Sequence, residues 1–153
     1  MNLDLTGKNA LVGGSSKGIG KATAMELAAL GANVTLVSRS GDLMSDIIKE
    51  MDKSKGQDHD FLVVDFSNSS DLRKKINGLT SSKHIHILVN NTGGPPGGPI
   101  TKAEAEEFEL AFHNHLICNH LLTKAVTPGM VTDNYGRIIN VISTSVKQPL
   151  PGL

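Results

Sequence analysis

The chain has 153 residues, enough for one domain with a substantial core. Its 15 Lys and Arg residues balance its 15 Asp and Glu residues, which argues against a nucleic-acid or anionic-membrane partner. A single cysteine, Cys118, excludes an internal disulfide framework, and no apolar run of roughly 18 residues is available to span a bilayer, so a cytoplasmic location is expected.

Short apolar runs alternate with helical patterns, as in a parallel sheet covered on both faces. The first expected strand, Asn9–Gly13, leads into Gly13-Gly14-Ser15-Ser16-Lys17-Gly18-Ile19-Gly20. A helix follows, with Ile19, Thr23, Leu27 and Leu30 on one face and Gly31 as a left-handed C-cap. The next strand is Asn33–Ser38, then a helix striped by Leu43, Ile47 and Met51. Strand Asp60–Asp65 precedes a third helix, capped by Ser69 and striped by Leu72, Ile76 and Leu79. Strand Ile85–Asn90 ends in Asn90-Asn91-Thr92-Gly93 and a Gly/Pro-rich loop. Thr101-Lys102-Ala103-Glu104 has capping-box spacing and opens a long helix to about Gly129, with a kink expected near His113–His115. The last strand is Gly136–Ile142, directly before Ser143.

Right-handed crossovers give a doubly wound, Rossmann-like α/β sheet of strand order 3-2-1-4-5. Residues 1–153 read as one dinucleotide-binding domain, incomplete at its C-terminus after the fifth strand. Ligands of such sheets sit beyond the carboxyl ends of the strands. That crevice is expected to be lined by Gly14–Gly20, Ser38–Arg39, Asp65–Phe66, Asn90–Gly93 and Ile142–Ser143.

Gly14, Gly18 and Gly20 permit a tight turn and close approach of a pyrophosphate to a helix N-terminus. An NAD site usually has an acid at the end of the second strand to bind the ribose 2′-OH. This chain has Ser38-Arg39-Ser40 there, with no acid from Val34 to Gly41. Arg39 can fork onto a 2′-phosphate and Lys17 adds a second positive charge, so NADP(H) is favoured over NAD(H). Asp65 is placed either to accept from an adenine amine or to cap its own loop. The two amides of Asn90 and Asn91 can tie neighbouring backbones together, and Gly93 leaves room beside them. No metal site is expected: His84 and His86, like His113, His115 and His120, have no further ligand at metal spacing.

With these motifs in order, the chain resembles the N-terminal part of a short-chain dehydrogenase/reductase, including the family's NADP(H)-dependent 3-oxoacyl-carrier-protein reductases. Gly13–Gly20 resembles the family's Thr-Gly-x-x-x-Gly-Ile-Gly, Asn90–Gly93 resembles Asn-Asn-Ala-Gly, and Gly136–Ser143 resembles the strand that ends in the catalytic serine. The resemblance implies hydride transfer between a nicotinamide and a small carbonyl or alcohol substrate, and homo-oligomers. It implies Ser143 as the hydroxyl on the substrate oxygen. Ser16, Lys17, Ile19 and Arg39 then line the cofactor phosphates, Asp65 and Phe66 hold adenine, and Asn91 and Gly93 sit on the ribose and nicotinamide side. Four departures stand out. Gly13 replaces the motif threonine and Thr92 the alanine. His115 falls where a relay asparagine is expected, with Asn114 one position earlier. No Tyr-x-x-x-Lys is present, and the one tyrosine, Tyr135, precedes the serine strand. The chain as given is therefore expected to be an inactive fragment; a non-catalytic NADP(H)-binding regulatory module is the alternative.

Overall fold

The computed structural model describes residues 3–148. Strands β1 (Asn9–Gly13), β2 (Asn33–Ser38), β3 (Asp60–Val63), β4 (Ile87–Asn90) and β5 (Arg137–Asn140) form one sheet. Its order is β3-β2-β1-β4-β5 and each neighbouring pair runs parallel. This is the order expected from the crossovers.

The connecting helices are α1 (Gly18–Ala29), α2 (Gly41–Glu50), α3 (Ser69–Ser82), α4 (Ala105–Phe112) and α5 (Cys118–Thr132). Successive side chains of a strand point to opposite faces, and the core divides accordingly. Ala10, Val12, Val34, Leu36, Ile87 and Val89 pack with Ala24, Ala28, Met44 and Ile47 of α1 and α2. Leu11, Val37 and Leu88 pack on the other face with Leu72 and Ile76 of α3 and Cys118, Leu122 and Val126 of α5.

Several element details differ from the sequence reading. The face that α1 buries is Gly20, Ala24 and Ala28, while Ile19 is 63% exposed. Small residues let the helix axis approach the sheet, and the larger apolar side chains flank the contact. In α2, Met44 and Ile47 face the core and Leu43 is exposed. The cap of α3 is Asn68, whose Oδ1 accepts from the Asp71 N–H at 3.1 Å, so Ser69 is the first helical residue. The capping box of α4 pairs Glu104 with Glu107; Thr101 lies one turn earlier in a 3₁₀ turn, Ile100–Lys102. Strand β3 ends at Val63, β4 begins at Ile87 and β5 spans Arg137–Asn140, each shorter than expected.

Gly31 does follow α1 with a left-handed backbone, φ +101°. The expected kink or break near His113–His115 coincides with a π-helical turn, His113–Ile117, that interrupts the helix and joins α4 to α5. Such turns rotate the side chains that follow them and recur at functional sites.

Candidate active site

In a parallel sheet all carboxyl ends share one edge, and the loops after β1, β2, β3, β4 and β5 meet there. The turn after β1 is shaped by Gly14 and Gly18, both left-handed at φ +57° and +56°. A Cβ on Gly20 would collide with the Gly14 carbonyl oxygen and stand 2.8 Å from the Asn91 amide nitrogen. The start of α1 is thus seated against the backbone of its own turn. Lys17 is the exposed N-cap residue of α1, with no side-chain cap of its own, and Ser16 is half-buried beside it.

Ser15, which the sequence reading passed over, bolts this turn to β2. Its buried hydroxyl accepts from the Val37 N–H at 2.9 Å and lies 3.4 Å from the Val37 carbonyl as donor. The signal was a small hydroxyl between glycines, indistinguishable in sequence from an ordinary turn serine. Asn91 closes the turn from the other side, donating from Nδ2 to Gly13 O at 3.1 Å and Gly14 O at 3.5 Å. That is the backbone tie expected of the asparagine pair. Asn90 is 1% exposed and donates to Asn140 Oδ1 at 2.8 Å, linking β4 to β5.

At the end of β2, Ser38 is buried and its Oγ accepts from the Ser40 N–H at 3.1 Å, which turns the exposed Arg39 outward. Asp65 lies just past β3, with Oδ1 accepting from the Ser67 N–H at 3.0 Å. The Ser67 backbone and hydroxyl bonds hold its carboxyl below the usual carboxylate range, and the nearby Arg39 charge adds to this. Asp65 therefore caps its own loop while facing Arg39 across the ends of β2 and β3. The next carbonyl, Phe66 O, lies 3.1 Å from the Cys118 thiol, whose pKa burial pushes up to about 11. Such a thiol is a packing group, not a nucleophile at neutral pH.

Ser143 follows β5 and caps a 3₁₀ turn, Thr144–Val146. Its Oγ accepts from the Ser145 N–H at 3.1 Å and the Ser145 hydroxyl at 2.6 Å. Two bonds accepted at the oxygen leave its own proton to donate elsewhere. The register Asn90↔Asn140 puts the loops beginning at Asn91 and Val141 side by side, so Ser143 and Gly14–Gly20 share the same edge. Gly93 lies in the open part of this edge, where a Cβ would meet nothing within 4 Å.

A further pair, missed as a pair in the sequence, joins the π-turn to this edge: Thr92 Oγ1 and His115 Nδ1 are 2.7 Å apart. Thr92 and His115, two of the positions singled out in the sequence, are thus joined across 23 residues. Beyond Gly93, the loop and α4 enclose a pocket of about 430 Å³.

The opposite edge of the sheet carries His84, His86 and the one tyrosine. His84 Nδ1 and His86 Nε2 lie 2.9 and 3.1 Å from Asp133 Oδ2. Both histidines precede β4, and no group of three or more metal-binding side chains occurs among the described residues. Tyr135 lies under the Lys8 ammonium at 4.4 Å and the Arg137 guanidinium at 4.8 Å, edge-on to His86, far from Ser143 along β5. No helix among the described residues is long and apolar enough to cross a membrane.

Comparison with known proteins agrees with this geometry. The chain is 34% identical over 149 residues to hydroxysteroid dehydrogenase-like protein 1 of Gallus gallus, covering 96% of the chain and 45% of that protein. It is 32% identical over 149 residues, with the same coverage, to the inactive hydroxysteroid dehydrogenase-like protein 1 of Homo sapiens. A metagenomic short-chain oxidoreductase solved in complex with NADP superposes with a TM-score of 0.85 at 32% identity, over 95% of this chain and 66% of that one. The chain spans about half the length of the curated relatives it matches. Residues 8–153 match the model of the short chain dehydrogenases, and the chain belongs to that family.

Proposed function

We propose that this chain is the cofactor-binding domain of an NADP(H)-dependent oxidoreductase acting on a carbonyl or alcohol, and that residues 1–153 alone hold the cofactor without turning it over. The observation that carries this reading is the Gly14–Gly20 turn, closed onto Asn91 and opening α1, with Arg39 at the end of β2 and no acid in the sequence from Val34 to Gly41.

The cofactor supplies the hydride when bound. The chain's own residues do the holding. Ser16, Lys17, Gly18 and Ile19 present N–H groups and a cation to a pyrophosphate at the start of α1. Ser38 orients the backbone that carries Arg39 toward the 2′-phosphate, and Asp65 and Phe66 form the adenine side. Asn91 and Gly93 keep the nicotinamide side open. Ser143 donates a hydrogen bond from its hydroxyl to the substrate oxygen, keeping its proton, and steadies negative charge there. Proton donation to that oxygen is a separate requirement, typically worth 10²–10⁴-fold. The one tyrosine of this chain is at the wrong edge to meet it.

Titration of the 153-residue chain with NADPH and NADH, followed by cofactor fluorescence, tests the reading. It expects saturable NADPH binding, weaker NADH binding, and no oxidation of NADPH by carbonyl compounds. Absence of NADPH binding would remove it. A second reading, a non-catalytic NADP(H)-binding module, is favoured by the human relative named as inactive. The two separate on the full-length gene product: carbonyl-dependent NADPH oxidation supports the reductase, and binding without oxidation supports the module.

A further inference from the structure

The loop after Gly93 reads Gly94-Pro95-Pro96-Gly97-Gly98-Pro99 and then enters the 3₁₀ turn before α4. Between this loop and α4 lies the pocket of about 430 Å³. That volume falls within the range of small-molecule sites, about 300–1,000 Å³. Its walls include Pro95, Pro96, Pro99 and Ile100 from the loop side and Phe108 and Ala111 from the helix. Ile100 and Phe108 are 72% and 56% exposed, so large apolar surface faces water here.

We propose that this pocket receives the apolar tail of the carbonyl substrate, an alkyl or acyl chain and not a polyol; the word substrate rests on the functional reading above. Three observations carry the proposal. The first is chemistry. The charged lining residues are Lys102 and Glu107, whose formal charges cancel, and Glu107 already accepts from the Glu104 N–H at 3.0 Å in the capping box. The lining selects for carbon, not for an anion or a hydroxylated chain.

The second is continuity. One strand of backbone builds both the crevice and the pocket: Asn91 on the glycine turn, Thr92 on His115, then Pro95 at the pocket wall. Two residues, Gly93 and Gly94, separate Thr92 from Pro95, so the three steps span at most about 11 Å of chain. The pocket wall thus begins within a few residues of the backbone that closes the crevice.

The third is the bracing of the wall. The Thr92–His115 bond at 2.7 Å ties the root of the loop to the π-turn that ends α4. Both walls of the pocket are thereby anchored to one hydrogen bond, although at Gly98, farther along the loop, an added Cβ would meet nothing within 4 Å. The pocket is held at its crevice end and adaptable at its outer end, which suits a tail of variable length.

The test is a series of methyl ketones, butan-2-one, hexan-2-one, octan-2-one and decan-2-one, added to the NADPH-loaded 153-residue chain and, in parallel, to the chain without cofactor. Amide chemical shifts report the site. The expected result is perturbation of Gly97, Gly98 and Ala111, with affinity rising about threefold to fourfold per added methylene until the pocket is full. Ala111→Phe, which fills the pocket from the helix, is expected to abolish the chain-length dependence and leave NADPH affinity unchanged. Phe108→Ala removes an already exposed side chain and is expected to reduce the gain per methylene. Chain-length dependence at these amides without NADPH binding would sustain the pocket and overturn the cofactor reading. Equal affinity for all four ketones, shifts elsewhere, or an Ala111→Phe variant that keeps the full chain-length gain would overturn the pocket. So would pocket shifts that follow protein concentration with no ketone present, which would assign this face to a second copy of the chain.

Discussion

A Cβ at position 20 has nowhere to go, because the Gly14 carbonyl oxygen and the Asn91 amide already occupy its space. Gly20→Ala must push α1 away from its turn, and overpacking of this kind costs about 1–3 kcal/mol. Chemical denaturation is expected to show that loss together with weakened NADPH binding; wild-type stability in the variant would mean that the turn is looser than described. Arg39 makes the opposite demand, since it is exposed and its removal leaves the fold alone. Arg39→Ala is expected to weaken NADPH at least roughly tenfold, the equivalent of one charge-assisted hydrogen bond, and NADH little. Equal losses for both cofactors would remove the 2′-phosphate assignment. Cys118 supplies a third residue-level expectation. Burial raises its thiol pKa to about 11, so the neutral form is favoured in the folded chain and this contribution to stability is present below the unfolded thiol value and lost as pH rises through about 11. Iodoacetamide at pH 8 should leave Cys118 unmodified until the chain unfolds; rapid native-state labelling, read by mass spectrometry, would contradict it.

The elements show where sequence reading succeeds and where it stops. Strands were legible because a strand buried on both faces must be apolar at consecutive positions, and Leu11, Val34, Leu36, Leu88 and Val89 are so buried. The core face of α1 was not legible. It is built from Gly20, Ala24 and Ala28, residues that mark close approach to a sheet only when the sheet is already known. Ser69 and Asn68 are both good caps, and only the backbone decides that Asn68 takes the role. The same holds for Thr101 and Glu104 before α4. In the candidate site, the meeting of Gly14–Gly20, Asn91 and Ser143 at one edge was legible from the order of the strands, because each follows the carboxyl end of a parallel strand. Ser15, and the pairing of Thr92 with His115, were not, because a hydrogen bond across 23 positions leaves no periodic trace. This bond predicts its own variant. Thr92→Val keeps the shape and removes the hydroxyl, leaving His115 Nδ1 without its partner, at a cost of about 1–3 kcal/mol in a part-buried site. Thermal unfolding identical to wild type would show that the pair does not brace the loop.

At the scale of the molecule, β5 is an edge of the sheet among the described residues. All four residues of β5 are exposed, Ile138 and Ile139 among them at 40% and 48%, and Phe112 of α4 and Leu116 of the π-turn are exposed as well. An edge strand with exposed isoleucines, and exposed apolar side chains on a helix, each invite pairing with another chain. The 153-residue chain is therefore expected to self-associate at micromolar concentration, and sedimentation showing a stable monomer would contradict this. The two edges of the sheet also differ in chemistry. The carboxyl edge gathers the glycine turn, Arg39, Asn91 and Ser143, while the amino edge holds His84, His86, Asp133 and Tyr135.

That contrast allows the central claim to be read residue by residue. Amide chemical shifts of the uniformly labelled chain, recorded as NADPH is added, should move for Gly14, Ser16, Gly18, Arg39, Asn91 and Gly93 and stay still for His84, His86 and Asp133. Movement at the amino edge, or none at the carboxyl edge at saturating cofactor, would contradict the placement of the dinucleotide site.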